Sequence, residues 1–140
     1  MKRTLLWGES PIVAAWVAKR IPDMDGGDFG KCVTGAVVDE DNNILGALVF
    51  SEFRGRDIQI SVASDNRHWL TKKILYQIFW YPFIYLGCAR LTAYTSEKNI
   101  SFQDMLIRFG FSQEGVMRQA FNSGDALLYG MLVSECKWIK

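Results

Sequence analysis

Few side chains in this sequence are equipped for chemistry, and their spacing narrows what they can do. His68 is the sole histidine, and Cys32, Cys88 and Cys136 stand at spacings that fit neither a zinc site nor a disulfide framework. Metal hydrolysis therefore lacks ligands, and three buried thiols suit a reducing compartment. Nothing beside Cys136 in sequence would lower its pKa, which makes it a structural thiol rather than a covalent nucleophile. The densest cationic cluster is Arg67, Lys72 and Lys73, with His68 among them. Such a cluster is either a solvated helix start or a group that offsets phosphate charge. The aromatic run Phe79-Trp80-Tyr81-Pro82-Phe83-Ile84-Tyr85 has the composition of a base-stacking platform, but no Lys or Arg lies between Lys73 and Arg90 to accompany it. Helical core packing is the better account of that run.

These residues must be positioned by one domain, expected over residues 1–140, since domains commonly run about 100–200 residues. With 49% hydrophobic, 22% charged and 14% aromatic residues, disorder is excluded. A net charge of +1 is too balanced to draw nucleic acid or an anionic membrane by overall field, so any polyanion site must be local. The N-terminal MKRTLLWGESP reaches Glu9 and Pro11 before a signal-length apolar run develops, and the uncharged stretch 74–89 contains Gln77, Pro82 and Gly87. A cytoplasmic location is expected.

Periodicity predicts a first helix from Pro11 through Ile12, Val13, Trp16, Val17 and Ile21, then a mobile loop over Asp23-Met24-Asp25-Gly26-Gly27-Asp28. A hairpin follows, Cys32 to Asp39 and Ile44 to Phe53 around Asp41-Asn42-Asn43, and Ile58 to Val62 alternates as a third strand. Ser64-Asp65-Asn66 are good caps for a largely covered helix from about Arg67 to Tyr85, kinked or ended by Pro82. Leu91 to Thr95 reads as a strand, and Ile100 to Phe109 as a helix stopped by Gly110. Phe111 to Asn122 and Ala126 to Val133 are the last two strands, joined at Asn122-Ser123-Gly124. The order α, β-β-β, α, β, α, β, β packs naturally as a mixed sheet flanked by helices.

The C-terminal half adds a pattern of specific residues. Leu86-Gly87-Cys88-Ala89-Arg90-Leu91-Thr92-Ala93 precedes Asn99. Gly110-Phe111-Ser112-Gln113-Glu114-Gly115-Val116-Met117-Arg118 and Tyr129-Gly130-Met131-Leu132-Val133-Ser134-Glu135-Cys136-Lys137-Trp138 follow it. Together they resemble the GCN5-related N-acetyltransferases (GNAT). Within that superfamily they are most similar to the branch that modifies ribosomal-protein N-termini, with its LG..RL strand, an Asn at this spacing, GF..EG..R and a closing strand of the form Y.ML..E..W. The resemblance implies an α/β (α+β) fold of the GNAT type, a mixed, mostly antiparallel, splayed sheet flanked by helices. It also implies acetyl-CoA as cosubstrate between two diverging parallel strands, its pyrophosphate at the start of the central helix, where unpaired N–H groups and the helix dipole favour an anion.

By the same resemblance the first diverging strand is Ile58 to Ala63, with Val62 and Ala63 beside the cofactor. The family's phosphate loop, Q/R-x-x-G-x-G/A, falls on Asn66-Arg67-His68-Trp69-Leu70-Thr71, followed by Lys72 and Lys73. Neither glycine is present, so Trp69 and Thr71 must turn their side chains aside or hold the cofactor farther away. Arg67, Lys72, Lys73 and a protonated His68 would offset the phosphate charge, whereas Asp65 as a capping carboxylate would oppose it.

Acetyl transfer to an amine needs a deprotonated amine, a stabilised oxyanion and a proton for the departing thiolate. The family takes the proton from a Tyr seven residues after the Asn or a Ser three residues after it; here those positions hold Leu106 and Phe102. Asn99 matches the family residue that supports cofactor and substrate, and it also fits a helix cap before Ile100. Ser101 and Tyr129 are the remaining candidate acids, and Glu52, at the end of the second hairpin strand, is a candidate base. His68 has the pKa nearest neutrality but belongs to the phosphate loop. The expected activity is direct acetyl transfer to a protein N-terminus, a lysine or a small-molecule amine, by a monomer or homodimer, with no metal and no nucleic-acid or membrane partner. The short chain and altered loop also look like N-acetyltransferases of phages and prophages, which implies a host cytoplasm and a host target. A fold-retaining CoA- or protein-binding module that has lost its acid is the alternative, and a purely structural dimerising module without cofactor is a third.

Overall fold

Alternating apolar residues line seven strands up in one sheet, and helices cover its two faces. The structure is a computed structural model that describes residues 2–24 and 28–140. The elements in chain order are β1 (Thr4–Gly8), α1 (Pro11–Arg20), β2 (Cys32–Val38), β3 (Ile44–Ser51), β4 (Asp57–Ser64), α2 (Lys72–Trp80), β5 (Arg90–Ser96), α3 (Ile100–Phe109), β6 (Ser112–Phe121) and β7 (Gly124–Leu132). The sheet order is β1-β2-β3-β4-β5-β7-β6. Every neighbouring pair is antiparallel except β4 and β5, which run parallel.

Period-two alternation splits the strand residues between two cores. Leu48, Phe50, Ile58, Ile60, Leu91, Ala93, Tyr129 and Met131 face α2 and α3, meeting Ile74, Ile78, Phe79 and Leu106. Ala36, Val38, Ala47 and Val49 face the other way, against Val17 of α1. The helices begin and end where their caps dictate. Ser10 Oγ accepts from Val13 N–H at 3.1 Å ahead of Pro11. Asn99 Oδ1 accepts from Phe102 N–H at 3.2 Å, and Gly110 ends α3 at φ 114°.

The structure corrects several sequence expectations. The structure adds strand β1, which is short, forms one edge of the sheet and buries only Leu5, so it carries no alternation to detect. The central helix starts at Lys72 rather than near Arg67, because Thr71 Oγ1, not Ser64, Asp65 or Asn66, takes the first-turn N–H, that of Ile74 at 3.1 Å. As expected, the α-helix ends beside Pro82, at Trp80, but the chain does not leave the helical path there: it widens into a π-helical turn, Tyr81–Tyr85, closed by Leu86 N–H on the Tyr81 carbonyl at 3.0 Å. The closing strand ends at Leu132, where Glu135 Oε1 accepts the Leu132 N–H at 2.8 Å and turns the chain into short 3-10 turns. Ile12 is 78% exposed and lies outside the apolar stripe of α1, and Cys32 is half-buried, unlike Cys88 and Cys136. Of the loop expected over Asp23 to Asp28, residues 25–27 lie outside the described residues; Pro22–Met24 form a 3-10 turn.

Candidate active site

The two parallel strands pair only at Asp57↔Arg90, Ile58↔Leu91 and Gln59↔Thr92. Beyond that point β4 continues beside β3 as far as Ser64↔Gly46, and β5 continues beside β7 as far as Ser96↔Ala126. From Ile60 and Ala93 onward each strand therefore has one edge that meets no other strand, and a wedge opens inside the sheet. Val62 and Ala63, both half-buried, stand on the β4 side of that wedge.

The segment from Asp65 to Lys73 turns the chain from β4 into α2 without a glycine. Asp65 and Asn66 N–H both donate to the Leu45 carbonyl, at 2.9 and 3.2 Å, and Asn66 Oδ1 accepts from His68 N–H at 2.8 Å in an Asx turn. Trp69 and Leu70 point inward, Trp69 being 3% exposed, and Thr71 caps the helix. The side chains left outside are Arg67, His68, Lys72 and Lys73, all exposed, with Arg67 Nε donating to His68 Nε2 at 3.3 Å. The N–H groups of Lys72 and Lys73 precede the first intrahelical bond, Leu75 N–H to the Thr71 carbonyl. Asp65 does not oppose this positive surface: Arg20 of α1 binds it bidentately, both contacts at 2.8 Å, and holds its carboxyl below the ordinary aspartate value. Sequence reasoning missed Arg3, whose Nη1 donates to the His68 carbonyl and whose Nε is buried without a partner.

The candidate catalytic residues fall into two groups. Asn99 follows β5 and opens α3 at the open end of the wedge, and Ser101 Oγ donates to Asn99 Oδ1 at 3.2 Å. Tyr129, opposite Ala93 on β7, is 2% exposed on the α3 side; burial, with the charge of Asp104, pushes its phenol up. Glu52 is exposed just past β3, at φ 56°, toward the end where β4 and β5 remain paired. On the α1 side of the sheet Tyr94 of β5 donates from Oη to Gln59 Oε1 of β4 at 2.7 Å, bridging the strands where they part. Burial raises the Tyr94 phenol and Glu52 adds to the shift. Sequence patterning gave no sign of this pair, whose members lie 35 positions apart.

At the paired end, Arg90 joins three elements. It contacts Glu114 of β6 at 2.8 Å and Asp57 of β4 at 3.4 Å, and Thr92 Oγ1 donates to Asp57 at 2.7 Å. Gly130 leaves room for this: a Cβ there would sit 2.3 Å from the Glu114 carboxylate and 2.5 Å from Arg90. A hollow of about 960 Å³ lies on the α1 face, between α1 and residues 28–32, with Glu9, Lys19, Asp28 and Lys31 at its walls. Among the described residues no cluster of His, Cys, Asp and Glu could hold a metal ion, and no helix is long and apolar enough to cross a membrane.

Solved structures share this architecture. A chimera of the spermidine N-acetyltransferase SpeG from Vibrio cholerae and hSSAT superposes with a TM-score of 0.74 at 13% identity, covering 100% of both chains. The Vibrio cholerae spermidine N-acetyltransferase in complex with CoA and spermine gives 0.73 at 14% identity, over 99% of this chain and 98% of that one. A GNAT-family acetyltransferase from Bacillus anthracis gives 0.61 at 16% identity, over 73% and 67%. No protein-family model and no curated protein matches the chain. The likeness establishes the fold: a mixed, mostly antiparallel sheet of seven strands between helices, as in the GNAT acetyltransferases.

Proposed function

We propose that the chain is an acetyl-CoA-dependent N-acetyltransferase that moves the acetyl group directly to an amine. The observation that carries this is the wedge between β4 and β5, open where the Asn66 to Lys73 loop presents Arg67, His68, Lys72 and Lys73 outward. The residues present fit CoA: a free strand edge can hydrogen-bond an amide-bearing arm, and unpaired helix N–H groups beside four basic side chains suit phosphates. The carboxylate just ahead of that loop, Asp65, is neutralised by Arg20. A solved neighbour of this fold holds CoA and spermine, which supports an amine as acceptor.

Acetyl-CoA, when bound, supplies an activated acyl group as a thioester. The chain's part is to place and move protons around it. Tyr129, kept protonated by its buried position, is the candidate donor to the departing thiolate. Asn99 orders the open end through Ser101 and the first turn of α3. Glu52, whose charge reaches Tyr94, is the candidate acceptor of the amine proton, with the Tyr94–Gln59 bridge on the α1 side marking where an amine would enter the wedge. The fragments Gly110 to Arg118 and Tyr129 to Trp138 support a protein N-terminus as acceptor, and the short chain with its altered loop supports a phage or prophage origin and a host-cytoplasm setting.

Incubation with labelled acetyl-CoA and a mixed library of peptides and polyamines tests the activity. Product above the uncatalysed rate is expected. A second reading, a CoA-binding module without turnover, draws on Phe102 and Leu106, which stand half-buried and buried where the family keeps its acids. Saturable CoA binding with no product from any amine would favour it.

A further inference from the structure

The position that the family pattern gives to glycine is held here by Trp69, and its surroundings suggest how the loop works without glycine. The Trp69 ring packs against Gly46 of β3: a Cβ at position 46 would come 2.4 Å from ring atoms Cδ2 and Cε3. No side chain, not even a methyl group, fits at 46 while the ring is in place. The ring also borders an apolar gap of about 10 Å³ between β4 and the two helices, no larger than one water. The Trp69 N–H donates to the Asn66 carbonyl at 3.2 Å, so the seated ring and the turn above it are tied together.

We propose that Trp69, seated on Gly46, is the positioning residue that holds the 66–71 loop in the conformation that receives the CoA diphosphate. The inference rests on the acetyltransferase reading above. Glycine in such a loop serves by leaving bare backbone toward the phosphates. A tryptophan whose ring is buried beneath the loop keeps the outer side clear of its own bulk; the His68 and Trp69 N–H groups are taken by Asn66, and those of Lys72 and Lys73, ahead of the first intrahelical bond, are the ones left toward an anion. Leu70 packs inward and Thr71 turns to its capping bond, so outward side chains between 67 and 73 are basic only. The loop is thus keyed from below by one aromatic ring rather than freed by two glycines.

Titration calorimetry of CoA and of pantetheine against the full chain and its Trp69→Phe, Trp69→Ala, Gly46→Ala and Gly46→Ala/Trp69→Ala variants tests this. Trp69→Ala and Gly46→Ala should each weaken CoA about tenfold or more while pantetheine changes by less than about twofold. Trp69→Phe should recover most of the CoA affinity. The double variant should bind CoA no worse than the poorer single variant, because the ring that Gly46→Ala expels is already gone. Without ligand, amide exchange over residues 67–73 should accelerate in both single alanine variants. Equal losses for CoA and pantetheine, additive losses in the double variant, or single variants indistinguishable from the parent would each overturn the proposal while leaving the acetyltransferase reading intact. A parent chain that binds neither compound would remove both.

Discussion

The two ends of the β4–β5 pair are built from opposite materials. At the paired end the strands share a parallel ladder, and Arg90, Asp57, Thr92 and Glu114 lock four strand positions with side-chain bonds. At the open end the strands share no ladder, and the elements beside them are ordered locally: Thr71 and Asn99 as caps, an Asx turn at Asn66, and Trp69 pressed onto Gly46. The difference teaches that a wedge inside a sheet needs a fixed hinge. Polar cross-links at one end let backbone groups stay unpaired at the other, where a ligand can use them.

Substitutions that strike one end and spare the other break this contrast into measurable parts. The largest effect is expected from Arg90→Ala, which leaves Asp57 and Glu114 without their shared cation. We expect a loss of about 2–3 kcal/mol in stability, seen as a fall of several degrees in the thermal midpoint. Its effect on CoA should match its effect on pantetheine, since the phosphate loop is not touched. Next, Tyr129→Phe should lower kcat by roughly 10–100-fold with acetyl-CoA affinity nearly unchanged, measured by steady-state kinetics beside titration calorimetry. An unchanged rate dismisses Tyr129 and moves attention to Ser101.

At the open end, replacing Arg67, Lys72 and Lys73 together by Ala should weaken CoA by about tenfold or more and pantetheine little, with the thermal midpoint steady. Equal losses for the two ligands would mean that these cations do not meet the phosphates. The smallest effect concerns the Arg20–Asp65 pair. Arg20 lowers the Asp65 pKa, so the pair contributes above the ordinary aspartate value and is lost as pH falls through the lowered folded value. A carboxyl titration by NMR should place Asp65 below a free aspartate in the parent and near the ordinary value in Arg20→Ala. The stability change should be slight, as for other partly exposed ion pairs.

Legibility in the sequence followed how local each determinant was. The α3 helix could be read to the residue because Asn99 and Gly110 mark its ends, and the centre of β4, though not its bounds, because Ile58, Ile60 and Val62 alternate. The start of α2 could not: Ser64, Asp65 and Asn66 all cap well in isolation, but Asn66 closes a local Asx turn with His68 N–H instead, and Asp65 is drawn to Arg20, 45 positions away and visible only once the chain is folded. The Tyr94–Gln59 bridge and the Arg90–Glu114 pair join residues 35 and 24 positions apart, beyond the reach of any periodicity. In sequence Trp69 reads only as a missing glycine, because its seat on Gly46 exists only with β3 and the loop side by side.

The central claim, that the wedge and its basic loop form a working acetyl-CoA site, is tested most directly by the thermal unfolding midpoint with and without acetyl-CoA. A ligand at one hundred times its dissociation constant stabilises the folded state by about 2.7 kcal/mol, enough to raise the midpoint by several degrees. The account predicts such a rise, larger with acetyl-CoA than with ATP at equal concentration. No rise with acetyl-CoA, or an equal rise with ATP, would contradict it.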